Sequence, residues 1–591
     1  MKLSPVPDFS APRRLAAAAA AVWLIACAAA AVSWPRLVRT VGDTDDALRL
    51  TMVRDLVAGR GWFDQRLSRL QPPAGLYMHW SRLVDGAEAA LLKLFASVLP
   101  ADQAEMAMRL TWPVLWVLPL TAAVLLIARR LGGGRAVFLG MVTAALSLHA
   151  SGEFQPGRVD HHNIQITCCL LALAAATQRP AVIWGALCGL ATAAGLAIGL
   201  EALPFAALIG AAMGLLWVFG RSPGRVLAAY GAALGLGAVG LGALQTPPDR
   251  WLLPACDALA VNLAAGLGVA GAGLCAAAAL AERWDRPGRL GVLAVVGALA
   301  GAAYVAVEPL CLHGPMAAVD PALKSVWLAN VREMTPWLVL LARDPATAIN
   351  LAAPAVAGLL GWLWLGRRPD LRANPAWRLS GVLLAVSIPM ALQASRSIQY
   401  SLWFAAPVTA AALVDFADVA LAGLMVPAVA VLVAVTQIPG LAAGLAAGRA
   451  GHPSAPAGVA QGASTSDRCT DTQAFRPLAR LAPGLVLSEI DEGPYVLANT
   501  PDAALQAPYH RMGRGIREAR AALGASPLEA EGRIRALKVA YVVNCPAHAA
   551  QSDRQSLAAD SLQRTLDAGR IPAWLEPLSR PGEPLQIFRV R

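Results

Sequence analysis

The chain has 591 residues, of which 57% are hydrophobic and 15% charged, with a mean hydropathy of +0.53. Soluble globular chains carry about 25% charged residues, so a soluble enzyme, a nucleic-acid binder, a secreted disulfide scaffold and a disordered protein are all poor descriptions of the whole. The net charge of +11 sits largely in short basic loops between long Ala/Leu/Val/Gly runs, the pattern of a polytopic helical protein of the inner membrane and not of an outer-membrane barrel.

The first apolar run, 15–33, follows Arg13 and Arg14 and reads as an uncleaved anchor, with a cleaved signal peptide as the other option because small residues surround Ala31. Further spans are expected near 108–128, 136–150, 164–177, 181–200, 202–220, 226–244, 255–281, 289–307, 346–366, 377–393, 400–414 and 419–437. Thirteen spans with Arg13 and Arg14 inside put the basic loops at 129, 179, 221, 283 and 367 inside as well. The same alternation puts 34–106, 151–163, 308–336 and everything after about 438 outside. The membrane part is thus 1–437, with 34–106 as its first external loop.

Residues 438–466 are rich in Gly, Ala, Pro and Ser and read as a linker. Beyond it, apolar runs fall to strand length at Leu485–Ile490, Tyr495–Asn499, Val539–Asn544 and Leu585–Val590, with helical patterns at 514–524 and 556–568. Residues 467–591 are therefore expected to form a small α/β domain outside the membrane. Its two cysteines, Cys469 and Cys545, then lie in an oxidising compartment, where a bridge between them is expected. The cysteines in apolar runs (Cys27, Cys168, Cys169, Cys188 and Cys275) read as small hydrophobes.

Charged residues beside membrane helices are costly and therefore informative. Four clusters fall on the external side of this topology. Gly42-Asp43-Thr44-Asp45-Asp46 with Arg49 puts three carboxylates within four residues, a set that suits a hard divalent cation or a helix start. Arg158, Asp160, His161, His162 and Asn163 open a span with an acid and two imidazoles, which suit a metal or an interfacial cap. Arg332, Glu333 and Pro336 end a long external loop, and Arg396 and Tyr400 lie between two late spans. Together on one face, the clusters combine acids that suit a metal with arginines that suit a phosphate.

In this order the clusters resemble the catalytic subunit of oligosaccharyltransferases, membrane glycosyltransferases of the GT-C class, most closely the archaeal form. Asp43 with Arg49 six positions on is similar to that family's first motif. Gly61-Trp62-Phe63-Asp64 and His79-Trp80-Ser81-Arg82-Leu83-Val84-Asp85 are similar to segments of its first loop, and Asp160 and His162 match its D-x-H motif. Asn330-Val331-Arg332-Glu333 followed by Pro336 looks like its S-V-S-E motif, and Arg396 is similar to its late-helix arginine that meets the donor phosphate.

The resemblance covers roughly 10–437 and implies a GT-C-type α-helical membrane fold of about 13 spans with a periplasmic C-terminal domain. It implies Asp43, Asp160 and Glu333 as catalytic residues and, with His162, as ligands of a Mn or Mg ion. Arg49, His79, Trp80, Arg158, Arg396 and Tyr400 are the implied substrate contacts. The implied reaction moves a sugar or oligosaccharide from a polyprenyl-(di)phosphate donor to a glycan, lipid or protein acceptor. Membrane lipid is the surrounding partner and nucleic acid is none. The chain departs from the family after 438, where Trp574 is the sole tryptophan and no WWDYG acceptor motif stands. Asparagine-linked transfer is therefore not implied. A lipid-linked donor needs no nucleotide-binding fold, and no glycine-rich strand–turn–helix motif is present. A flippase of lipid-linked glycans, or an inactive relative serving as an envelope scaffold, are the alternatives; a flippase calls for midplane charges and internal repeats, neither of which stands out.

Overall fold

The computed structural model describes residues 11–328, 331–420, 467–549, 554 and 556–591. The thirteenth expected span, from 421 on, and the linker 438–466 lie outside the described residues. Apolar helices run Pro12–Val32 (α1), Ala101–Ala150 (α4), His162–Thr177 (α5), Val182–Ile198 (α6), Leu203–Val218 (α7) and Gly224–Gln245 (α8). They continue with Val261–Leu280 (α9), Arg286–Val307 (α10), Pro345–Leu365 (α11), Pro375–Gln393 (α12) and Ile398–Ala420 (α13). Two further helices, Thr44–Val57 (α2) and Arg82–Ala96 (α3), fold the first loop.

Eight of these helices are long and apolar enough to cross a membrane, and α5, α6 and α7 are shorter apolar helices. The protein is a multi-pass membrane protein. The 50-residue α4 is two antiparallel arms: Gly132 and Gly133 leave helical geometry, and Gly133 has φ +69°, which a side chain rarely adopts. Its arms correspond to the expected spans 108–128 and 136–150. The expected span 255–281 starts later, at Val261, because 255–260 is a loop held by a Cys256–Cys311 disulfide that sequence reasoning missed.

The basic loops gather at one end of the bundle. Arg130 donates to the Thr177 carbonyl at 3.0 Å, Arg135 pairs with Asp418 at 2.5 Å, and Arg368 pairs with Asp415 at 3.0 Å. Burial orders the bundle: α13 is mostly enclosed, packed on α4 and α11, whereas only 6% of the most apolar stretch of α10 is covered by protein. A helix so apolar and so uncovered needs lipid around it.

At the other end, residues 467–591 form a five-stranded sheet with helices against it. The strands are Leu485–Leu487 (β1), Ala503–Ala504 (β2), Val539–Asn544 (β3), Leu575–Pro577 (β4) and Gln586–Val590 (β5), in the order β2-β1-β3-β5-β4. The β-branched Val539–Asn544 is central and almost wholly buried, as its composition predicts. β1 pairs parallel to both neighbours, and β5 runs antiparallel to β3 and β4. The expected strand Tyr495–Asn499 is instead the end of a helix, Glu492–Asn499 (α14). Pro494 falls in its first turn, where no N–H is needed, and a short apolar run cannot separate strand from helix by periodicity.

Helices Gly513–Leu523 (α15) and Leu562–Asp567 (α17) answer the two helical patterns, the second in shortened form, while Pro527–Ala536 (α16) was not foreseen. Ser526-Pro527 is the start signal that α16 offered. Cys469 is bridged to Cys545. Non-reducing peptide mapping is expected to return both bridges and the five other cysteines as thiols. Recovery of Cys469 or Cys545 as free thiols sets the predicted bridge aside.

The domain docks on the first loop and on the loop that precedes α9. Leu70 bridges Ala504 in parallel, continuing the sheet into the loop. Arg54 and Arg69 donate to the carbonyls of Ala498, Leu497 and Thr500, capping the C-terminus of α14. Asp257, beside the Cys256 bridge, accepts from His510 at 2.6 Å and from Arg511 at 2.6 and 2.8 Å.

Candidate active site

Asp43 is the N-cap of α2 in extended geometry. Its Oδ1 accepts from the amides of Asp45 and Asp46, both at 3.0 Å, while Asp46 Oδ2 accepts from the Asp43 amide at 3.1 Å. This reciprocal cap satisfies orphan amides and leaves Asp43 Oδ2 facing the site. Gly42 precedes it at φ +92°, where a Cβ would overlap the Asp46 carboxylate. Asp46 is fully buried; its Oδ1 takes the amides of Val159 and Asp160 at 2.8 and 3.1 Å. Arg158 joins the two motifs by pairing with Asp43, with Asp46 at 2.9 Å, with Glu153 at 3.1 Å and with Asp160 at 3.6 Å.

Asp160, His161 and His162 open α5. Asp160 Oδ1 lies 2.6 Å from His161 Nδ1, and Asp160 Oδ2 lies 3.3 Å from His162 Nε2. Arg396 Nη2 stands 2.7 Å from His162 Nε2 and 3.1 Å from Glu201, and Arg396 Nη1 stands 3.7 Å from Glu333. Ser395 fastens the same segments, donating from its amide to the Thr335 carbonyl at 3.0 Å and from its hydroxyl to the Glu333 carbonyl at 3.3 Å. The four polar clusters, far apart in the chain, therefore meet through two guanidinium groups.

The electrostatics are uneven. Burial, then the charges of Asp160, Asp43 and Glu333, raises the Asp45 carboxyl well above its usual range. Burial, opposed by Arg158 and reinforced by Asp43 and Asp160, pushes Asp46 up to about 8. Burial also acts against an ionised Asp160, but His161, His162 and Arg158 overcome it and hold that carboxyl well below its usual range. Such crowding of acids is relieved by a cation.

The other expected residues are placed differently. Arg49 is fully buried, 2.6 Å from Asp85, 3.2 Å from His161 Nδ1 and 4.5 Å above the Trp80 ring. It stands behind Asp160, enclosed by protein and away from any open surface. His79 belongs with His510 and Asp257; its Nδ1 has no hydrogen-bond partner and its ring meets His510 edge-on at 4.6 Å. Tyr400 is buried against Phe205 and Phe404. Asn330 lies outside the described residues. Glu201 and Glu153 were missed, although Glu201 is the lone acid between two apolar runs, a signal worth reading.

The donors fit a divalent cation. Asp160 Oδ2 is buried without a hydrogen-bond partner, and Asp160, His161 and His162 offer ligand atoms within 4.8 Å of one another. Asp43 and Glu333 stand outside that trio, with side chains 45% and 41% exposed, each held by an arginine. Two other clusters fit less well. Asp257 is already saturated by His510 and Arg511, and near Glu492 and His548 the sulfur of Cys545 is spent in a disulfide.

Arg158→Ala is expected to cost about 3–5 kcal/mol, because it takes a countercharge from the buried, ionised Asp160 and a hydrogen-bond donor from buried Asp46. A lowered Tm in detergent checks this; an unchanged Tm assigns the cohesion of 43–46 to the cap alone.

The fold, many apolar helices with an α/β domain over one end, is shared with solved oligosaccharyltransferase structures. No family model and no curated protein matches the chain. Among solved structures it is similar to the oligosaccharyltransferase of Archaeoglobus fulgidus tethered to an acceptor peptide containing the NVT sequon. The TM-score is 0.65 at 14% identity, over 93% of this chain and 72% of that one. The archaeal oligosaccharyltransferase AglB from Archaeoglobus fulgidus, with an inhibitory peptide and a dolichol-phosphate, gives 0.64 at 14% identity over 92% and 71%. The Archaeoglobus fulgidus oligosaccharyltransferase in complex with Zn and sulfate gives 0.58 at 15% identity over 89% and 68%.

Proposed function

We propose that this chain is a membrane glycosyltransferase that moves a sugar or oligosaccharide from a polyprenyl-phosphate or -diphosphate donor to an envelope acceptor. The reading rests on one observation above all: Arg158 and Arg396 tie four separated polar segments into one cluster at the end of the bundle opposite the basic loops. The similar archaeal structure, with its dolichol-phosphate, supports a lipid-linked donor.

Asp43, Asp160, His162 and Glu333 are the residues that would hold a Mn or Mg ion. When bound, such an ion supplies positive charge to orient the acceptor and to offset charge growing on the leaving phosphate. Arg396 grips phosphate oxygens with two N–H groups, and a carboxylate oxygen of Asp43 or Glu333 receives the acceptor's proton as the new glycosidic bond forms and the sugar–phosphate bond breaks, the leaving phosphate keeping the electron pair. Arg49 and Trp80 orient His161 and Asp160 from behind. The site then faces the periplasm and the chain lies in the inner membrane; basic loops at one end and two disulfides at the other support this orientation.

The test is transfer from a labelled polyprenyl donor by the purified protein, with manganese and after chelation. Metal-dependent appearance of labelled acceptor is the expected result. Movement of the intact lipid-linked donor across vesicles without transfer assigns the chain to the flippases instead.

A further inference from the structure

The turn that presents Asp43 is gripped on both sides by the C-terminal domain. Tyr495, on α14, donates its hydroxyl to the Gly42 carbonyl at 3.1 Å, and Tyr509 donates to the Thr44 carbonyl at 3.0 Å. Both tyrosines are about 5% exposed or less. The Gly42 carbonyl precedes the helix, outside its ladder of bonds, so a donor from elsewhere completes it. The Thr44 carbonyl has a second lone pair to offer. Because Asp43 Oδ1 is spent on two backbone amides, the orientation of this turn decides where Oδ2 points.

We propose that Tyr495 and Tyr509 are positioning residues that fix the Asp43 carboxylate, so that the soluble domain completes the active site. The proposal rests on Asp43 being a catalytic carboxylate. Burial, with the carboxylate charges of Asp43 and its neighbours, keeps both phenols well above their ordinary range, so they remain donors. Tyr509 also reaches the second motif. Its ring meets Trp80 edge-on at 5.4 Å, Trp80 lies beneath Arg49, and Arg49 contacts His161. α14 itself packs along α2, and Phe475 stacks against Tyr495 at 6.4 Å, so the donor has a firm mount. Docking alone needs buried area; it does not need two hydroxyls aimed at the two carbonyls that bracket one aspartate.

Tyr495→Phe, Tyr509→Phe and the double variant remove only the hydroxyls and are made in the full chain. Hydrogen exchange of the segment around 40–50 is expected to quicken at the Asp45 and Asp46 amides, about five-fold for each hydroxyl lost. In transfer from a polyprenyl donor, the double variant is expected to lose about 10- to 100-fold in kcat with the donor KM within about two-fold. Tyr541→Phe is the control. Its hydroxyl donates to the Ala482 carbonyl at 2.8 Å within the same domain, and the change is expected to lower Tm without altering either reading. Unchanged exchange in the double variant overturns the proposal whatever the activity, and so does faster exchange with unchanged kcat. A wild-type chain that transfers no sugar retires the glycosyltransferase reading instead, while exchange at 45 and 46 still decides whether the tyrosines hold the turn.

Discussion

Asp160→Asn is expected to reduce sugar transfer by on the order of 10³-fold, leaving membrane insertion and the Cys469–Cys545 bridge intact. Asparagine keeps the size of the side chain and an oxygen to accept from the His161 amide, a bond of 2.7 Å in the native protein. What it removes is the negative charge that His161, His162 and Arg158 hold ionised at the head of α5. It also removes Oδ2, which has no hydrogen-bond partner and lies 3.3 Å from His162 Nε2 and 3.6 Å from Arg158. The variant is therefore also expected to lose manganese binding, read by electron paramagnetic resonance of the purified protein. Full activity in Asp160→Asn would falsify the assignment of this cluster as the catalytic centre. Retained manganese binding with lost activity leaves the cation on the other proposed ligands, Asp43, His162 and Glu333.

Arg396→Lys is the second large effect, expected to raise the donor KM about 10- to 100-fold. One guanidinium reaches three partners at once: His162, Glu201 and Glu333, at 2.7, 3.1 and 3.7 Å. A lysine ammonium is a compact point charge and cannot reproduce that planar fork or grip a phosphate bidentately. The kinetic split is the decisive reading. A raised KM assigns Arg396 to the donor phosphate; a loss confined to Tm assigns it to holding Glu201 and Glu333 together. An unchanged KM together with an unchanged Tm returns it to an interfacial anchor.

Local signals carried far in this chain. Long apolar runs and the alternation of basic loops determined the helices and the two ends of the bundle, because lipid demands about 20 apolar residues per crossing whatever the neighbours are. Runs such as 15–33 and 346–366 therefore lie where they are read. Acid density at 43–46 and the cluster at 158–163 marked the places where polar groups gather, because burying them without function or partner is too costly to persist. Val539–Asn544 is legible as a central strand, since its β-branched run fits a sheet covered on both faces.

What tertiary structure alone decided is which of those polar groups meet and in what role. Arg49 is a substrate contact by what the resemblance implies, and it is wholly buried between Asp85 and the Trp80 ring. Tyr495 sits in a run that reads as a strand but becomes a helix end aimed at Gly42. Cys256 and Cys311 share no signal in sequence, and Glu201 takes its meaning from an arginine far along the chain. Hydrophobic periodicity is a property of neighbours a few residues apart, so sequence carries it openly. Pairing across hundreds of residues depends on how whole helices pack, and no local pattern encodes it.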